Sequence, residues 1–269
     1  MKVAVFVALN RPMAVQVATE VVKWLRQKKV KLLLDNDGVD NDTDFALAIG
    51  GDGTMLSAVR ACASAGVPVA GISAGWLGFL PEINPESMYP ALARIMVGDY
   101  KVESRMMLRA IVGDRIDAIG FNDVVVRQGV TGRLVHLDVS VAGHHLGNFS
   151  ADGLLVCTPT GSTAYGLAAG GPIIHPATAA MTLVPICPHS LSFRPVVIPA
   201  GDVLEILCKG NQNGDKMMIT IDGQEPIDIF PGDRVTVSPA NEKAKLIKLG
   251  LTTFYDRLRD KLDWGGGQP

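Results

Sequence analysis

The sequence predicts an α/β N-terminal domain with a parallel sheet, followed by a mostly β C-terminal domain. Two observations carry that prediction. Up to residue 73, short apolar runs alternate with helix-period segments, the order that a parallel sheet covered by helices requires. After Tyr100 the texture becomes one of short β-branched runs punctuated by glycine and Asp-Gly turns. A helical segment at 87–96 closes the first part. The boundaries read as residues 1–97 for the α/β domain, 98–249 for the β domain and 250–269 for a C-terminal segment.

Residues 2–9 read as the first strand. This apolar run is too short for a secretion signal, ends at Asn10-Arg11-Pro12 and lacks a small-residue cleavage site. An amphipathic helix follows at 13–29, then strands at 30–35 and 45–49, a helix at 54–65 and a strand at 67–73. Residues 35–44, DNDGVDNDTD, crowd five carboxylates into ten positions. They lack the spacing and the closing bidentate Glu of a calcium loop, so they read as a solvated acidic turn. In the β domain the runs are 102–112, 116–126, 134–142 and 153–157, and the same texture returns over 196–249. Two patches keep no strand period: 158–176, TPTGSTAYGLAAGGPIIHP, and 185–195, PICPHSLSFRP. Residues 252–264 have helix-forming composition and lead into a WGGGQP tail.

Composition excludes several functions. The chain has 269 residues, 48% apolar and 19% charged, enough for two domains with full cores. Twenty-five basic residues against 27 acidic ones leave a formal charge of -2, with neither a nucleic-acid footprint nor a polybasic membrane surface. A small-molecule partner is expected. Cys62, Cys157, Cys187 and Cys208 lie too far apart for a zinc motif or a disulfide framework, which fits a reducing cytoplasm. No run approaches the roughly 18 apolar residues of a membrane span. The five histidines show neither metal-ligand spacing nor a nucleophile partner and read as structural or surface residues; no metal ligands are assigned.

Chemistry concentrates at 45–56, FALAIGGDGTML. An apolar run stopping at Gly50-Gly51-Asp52-Gly53 and resuming in helical pattern reads as a buried strand, a tight turn and a helix N-terminus at Thr54. Glycines admit a close ligand, and free N–H groups with the helix dipole attract an anion. A carboxylate among such amides, Asp52, suggests proton or metal chemistry; an ordinary Asp-Gly turn is the other reading. Asn122-Asp123 reads either as a turn or as an amide and carboxylate that reach one ligand together at a strand end. Thr158, Thr160, Ser162, Thr163 and Tyr165 read as a helix cap or as hydroxyls gathered around a polar ligand, with Tyr165 stacking on it.

Taken together, GGDGTML (50–56), GWLGFL (75–80), Asn122-Asp123, the long stretch 152–176, PICPHSLSFRP (185–195) and DGQ (222–224) resemble the NAD kinase family, in its compact bacterial form. The motifs span nearly the whole chain. GGDGT alone also resembles diacylglycerol kinases, sphingosine kinases and 6-phosphofructokinases, whereas the TPTGSTAY and PHSLS patches are characteristic of NAD kinases. The resemblance implies an NAD kinase and diacylglycerol kinase-like fold in which the C-terminal segment returns to the first domain. It implies transfer of the ATP γ-phosphoryl to the 2′-hydroxyl of the adenosine ribose of NAD, with a divalent cation, Mg²⁺, and a homodimeric or homotetrameric assembly. Asp52 matches the catalytic acid-base position. Gly53, Phe79, Asn122, Asp123, Arg133, Asp152, Thr163, Ala164, Tyr165, Gly166, Leu167, Ala168 and Gln224 fall at coenzyme-binding positions. Relatives often carry an Asn where this chain has Ser73-Ala74 and a basic residue where it has Ser150, which bears on how the phosphates are neutralised. No Walker lysine follows the glycines, so neutralisation falls to the cation, the turn amides and arginines such as Arg133. A lipid or sugar kinase sharing the turn, or a noncatalytic nucleotide-binding regulator, are the competing functions. The near-neutral charge argues against a lipid surface, and a regulator has no need of Asp52.

Overall fold

A computed structural model describes residues 1–34, 38–75, 78–129, 134–190, 192–210 and 216–264. The chain forms two compact units, Met1–Ser104 with Lys243–Pro269, and Arg105–Glu242. The divisions thus fall at Ser104 and Glu242, not at 97 and 249. Tyr100 packs on the first unit's core, to which Ile247 and Leu249 also belong. The strand Arg234–Lys248 pairs its first residues with Leu204–Leu207 of the second unit, while its Leu246 pairs with Val69 of the first. The chain therefore changes unit inside a strand rather than in a loop.

In the first unit, β1 (Lys2–Val7), β2 (Lys31–Leu34), β3 (Phe45–Gly50) and β4 (Val69–Ser73) form a parallel array in the order β2-β1-β3-β4. Every residue of β3 is buried, which is why FALAIG reads as an unbroken apolar run rather than an alternating one. Helix α1 (Pro12–Gln27) buries Ala14, Val17, Ala18, Val21 and Leu25, one stripe at helical spacing, and Pro12 opens it where no backbone donor is needed. Helix α3 (Met88–Met96) buries Met88, Ala91, Leu92 and Ile95 in the same core as α1, whereas the buried residues of α2 (Asp52–Ala63), among them Met55, Val59 and Cys62, do not join that core. From β1 the chain passes to β2 on one side and then to β3 on the other. The crevice at the carboxyl ends of β1 and β3 is thus a topological switch point, the usual ligand position in such sheets. Residues 35–37 of the acidic turn lie outside the described residues. In the described part, Asp40 accepts from the Lys2 ammonium and Asp44 takes the Lys2 N–H at 2.6 Å.

The second unit is a two-sheet β structure. One sheet runs β12-β11-β10-β7-β14-β15 and is antiparallel throughout: β7 (Asp123–Gln128), β10 (Gly153–Cys157), β11 (Ala180–Ile186), β12 (Val196–Pro199), β14 (Met217–Ile221) and β15 (Ile227–Ile229). The other contains β8 (Val135–Val141), β9 (His144–Ala151), β13 (Leu204–Gly210), the start of β16 (Arg234–Lys248), and the hairpin of β5 (Lys101–Val112) with β6 (Ile116–Gly120). Alternate residues of both sheets, among them Val124, Val126, Leu154, Val156, Leu137, Val139, Ile206 and Val235, meet in one core. Leu155 and Cys157 face the opposite way and pack with Val125 and Val184, so β10 is buried on both faces.

Three expectations change. The run at 116–126 is two strands, because the chain leaves one sheet at Gly120 and enters the other at Asp123. At this corner a Cβ on Gly120 would come within 2.8 Å of Ile221 Cγ2. Strands β9 and β11 were not legible: β9 is largely exposed, and β11 is buried throughout except for Ile186, so neither alternates cleanly. Helix α2 begins at Asp52, with Gly51 as its extended N-cap, rather than at Thr54. The Thr54 side chain occupies the space a Cβ at Gly50 would need, which draws the turn tight.

Candidate functional site

In the first unit the glycine turn places Asp52 at the first position of α2. Its carboxylate accepts the N–H of Phe79 at 3.0 Å (Oδ2) and of Leu80 at 2.9 Å (Oδ1). Gly78 makes this approach possible, since a Cβ there would lie 2.6 Å from Asp52 Cγ. Beside the turn, residues 6–11, Gly51, Gly53, Thr54 and Ser57 line a cavity of about 700 Å³. This is the switch-point crevice. Gly53 is exposed at its edge, and Arg11 contributes a cation: its Nη1 would lie 3.2 Å from a Cβ on Gly51. Sequence reasoning missed Arg11, although its place directly after the first strand of an alternating α/β pattern was a usable signal. Trp76 and Leu77 of the GWLGFL motif lie outside the described residues; Phe79 is half-buried. Of the residues where relatives differ, Ser73 is fully buried with its hydroxyl on Asn84 Oδ1 at 3.3 Å, and the Ala74 N–H donates to Gly50 O at 3.1 Å.

Behind Asp52 the C-terminal segment is fastened by two buried charges. Glu82 accepts N–H groups from Leu249 at 3.0 Å, Leu251 at 2.6 Å and Thr252 at 3.3 Å. Arg257, on the C-terminal helix Phe254–Leu262, donates from Nη1 to the Gly78 carbonyl and from Nε to Thr252 Oγ1 at 3.0 Å. Burial lowers the Arg257 pKa, against the attraction of Glu82, Asp52 and Asp260.

In the second unit Asn122, Asp123, Ala164, Tyr165 and Gln224 line one cavity of about 580 Å³ with Val125, Arg127, Thr220, Asp222, Gly223, Glu225 and Pro226. Asp222 organises it. Held at φ 52°, it accepts backbone N–H groups from Phe121 at 2.8 Å, Asn122 at 2.6 Å and Asp123 at 3.2 Å. These bonds fix the corner just before β7, so Asn122 and Asp123 share a strand end that faces the cavity. Asp123 is buried, and burial together with the nearby Asp222 charge pushes its pKa up to about 7. Sequence reasoning took Gln224 from the DGQ motif but not Asp222, whose role depends on residues about 100 positions away.

The hydroxyl patch is mostly internal bracing. Thr158 Oγ1 donates to Phe121 O at 2.7 Å and accepts from Gly161 N at 3.0 Å. Ser162 Oγ donates to Pro159 O at 2.6 Å and accepts from Ile174 N at 2.9 Å. Thr163 Oγ1 donates to Thr160 O at 3.1 Å, and buried Arg105 donates to Thr160 Oγ1 at 3.2 Å. Gly161 sits against Asn122, where a Cβ would lie 2.6 Å from the Asn122 carbonyl carbon. Only Tyr165 of the five opens to the cavity, and it is 44% exposed. The helical turn there is just Tyr165–Ala168. Thr163, Gly166, Leu167 and Ala168 stand beside this cavity in sequence but do not line it. Nor does Asp152, whose backbone joins Gln128 and Ile186. Arg133 lies outside the described residues. Ser150 shares a hydrogen bond with His136 at 2.8 Å.

These features define a class: an α/β unit with an acidic glycine turn at its switch point, joined in one chain to a β unit with a polar, acid-lined cavity. Among solved structures this fold is shared with yeast NADH kinase complexed with NADH (TM-score 0.89, 23% identity, 100% of this chain and 89% of that one). It is also shared with an NAD kinase from Archaeoglobus fulgidus in complex with ATP (TM-score 0.79, 23% identity, 98% of each chain). The ATP-NAD kinase N-terminal domain model matches residues 36–100, and the C-terminal domain model matches residues 121–249. The NAD kinase of Geotalea daltonii is 37% identical over 98% of this chain and 99% of its own. The chain belongs to the NAD kinase family.

Proposed function

We propose that this protein transfers the γ-phosphoryl group of ATP to the 2′-hydroxyl of the adenosine ribose of NAD, giving NADP. One observation carries the mechanism: the Asp52 carboxylate stands at a glycine turn beside the switch-point crevice, oriented by two backbone N–H groups. Phosphoryl transfer passes through a loose transition state, so catalysis rests on positioning and charge neutralisation. Asp52 orients the attacking hydroxyl and takes its proton late, and its two N–H donors hold it to one geometry. The crevice receives the donor phosphates, with the first amides of α2 and the Arg11 guanidinium facing their charge.

The second-unit cavity receives the coenzyme nucleoside. Asn122 reads a base edge, Tyr165 stacks, and Asp123, able to hold or release a proton near pH 7, bonds a ribose hydroxyl in either sense. Asp152, Thr163, Gly166, Leu167, Ala168, Gln224, Phe79, Gly53 and Arg133 complete the coenzyme contacts that the family resemblance implies. Among the described residues no group of three or more His, Cys, Asp and Glu side chains converges as a metal site. One carboxylate and backbone groups at the turn fit Mg²⁺ carried by the nucleotide's phosphates and water, where it supplies neutralisation of the transferring charge. We further propose a homodimer or homotetramer in the cytoplasm; no described helix is long and apolar enough to cross a membrane. The test is purified protein with ATP, Mg²⁺ and NAD or NADH, the product being read by an NADP-specific dehydrogenase. Folded protein that yields no phosphorylated coenzyme overturns the proposal.

A further inference from the structure

We infer that Arg257 is a positioning residue for Asp52, acting through the peptide group that joins Gly78 to Phe79. This inference rests on the reading of Asp52 given above. The C=O and N–H of a trans peptide point in opposite directions within one plane, and no cis peptide occurs among the described residues. Arg257 Nη1 donates to the Gly78 carbonyl at one edge of this plane. At the opposite edge the Phe79 N–H donates to Asp52 Oδ2 at 3.0 Å. One rigid unit thus stands between guanidinium and carboxylate, and fixing the carbonyl fixes the direction of the N–H. A cation on the carbonyl oxygen also polarises the amide, which strengthens the bond that the amide gives to Asp52.

A purely structural role explains less. The C-terminal segment is already held by three N–H bonds to Glu82. The C-terminal helix is started by its own capping box between Thr253 and Asp256. Arg257 is 4% exposed, a buried guanidinium is costly, and among the described residues its Nη2 has no hydrogen-bond partner. What that burial achieves is a fixed charge on the back of the peptide that orients Asp52. Nε is held by Thr252, so the fork has one orientation.

The experiment is a double-mutant cycle of Arg257→Gln and Asp52→Asn, with kcat and both KM values measured on protein checked for folding. Asp52→Asn first tests the underlying reading: near wild-type turnover overturns it, and this inference with it. If Asp52→Asn is impaired, the inference predicts that Arg257→Gln lowers kcat roughly 10- to 100-fold while both KM values stay within about twofold. In the Asp52→Asn background the same substitution should cost about twofold or less, since the carboxylate it serves is gone. Arg257→Lys keeps the buried charge without the planar fork and should recover part of the lost kcat. If Arg257→Gln does not fold, Arg257→Lys carries the same cycle with a smaller loss in kcat alone. Equal losses in both backgrounds, or KM rising as kcat holds, overturn the positioning role and leave Arg257 a structural residue.

Discussion

Asp123 ties the second unit's cavity to the stability of that unit, and replacing it with Asn separates the two. Its carboxyl has a pKa of about 7 in the folded protein against an ordinary 3.8, raised by burial first and by the Asp222 charge second. Between those values the folded state keeps a proton that the unfolded chain has released. The native state is therefore most favoured below about pH 4, loses stability as pH rises to about 7, and is level beyond. The full loss is the difference between about 7 and 3.8 at 1.36 kcal/mol per pH unit, at most about 4 kcal/mol. Asn has the shape of the protonated acid and cannot ionise. From pH 5 to pH 8 the wild type should lose about 2 × 1.36, or roughly 2.7 kcal/mol, more than Asp123→Asn does. Any constant effect of the amide cancels in that comparison. Urea melts of both proteins at the two pH values, followed by circular dichroism, measure it. Parallel pH dependences in the two proteins would refute the assignment of a buried, proton-holding Asp123.

Four further outcomes are expected. Asp52→Asn should preserve the fold and the NAD KM and lower kcat by about 10²- to 10⁴-fold in steady-state assays; unchanged turnover removes Asp52 from the chemistry. Asn122→Ala and Tyr165→Ala should raise the NAD KM more than the ATP KM, and the opposite ranking would show the two pockets to be assigned the wrong way round. Arg11→Ala should raise the ATP KM by about 10-fold, the worth of a charged hydrogen bond to phosphate, and leave the NAD KM within about twofold; a selective rise in the NAD KM would refute the placement of donor phosphates in the crevice. Arg133→Ala should weaken NADP more than NAD in titration calorimetry, because only the product carries the additional phosphate and Ser150 is neutral where relatives often carry a basic residue; equal losses count against it.

Features set by local chemistry were open to sequence reasoning. The unbroken apolar run of β3, the stripe of α1 and the glycines before Asp52 each depend on neighbours a few positions apart, so fold class and turn followed from periodicity and backbone freedom. The motifs at Gly50 to Leu56 and at 158–165 placed the chain beside its family before any coordinates. What remained hidden depended on distant parts of the chain. Nothing local says that Asp222 takes the N–H groups of Phe121 to Asp123, or that this capture brings Asn122 and Asp123 to one cavity. The hydroxyls of 158–163 read either as a cap or as ligand contacts because composition shows donors but not their partners; folding bonded Thr158 to Phe121 O, Ser162 to Pro159 O and Thr163 to Thr160 O. Arg11 became a crevice residue only when β1 and β3 came side by side, and Arg257 reached the back of Asp52 across 179 positions from Gly78. Sequence by itself determined the periodicities, the turn chemistry and the family. Tertiary structure decided which charges face one another, because burial and hydrogen-bond partners are set by chain segments that meet only when the protein folds.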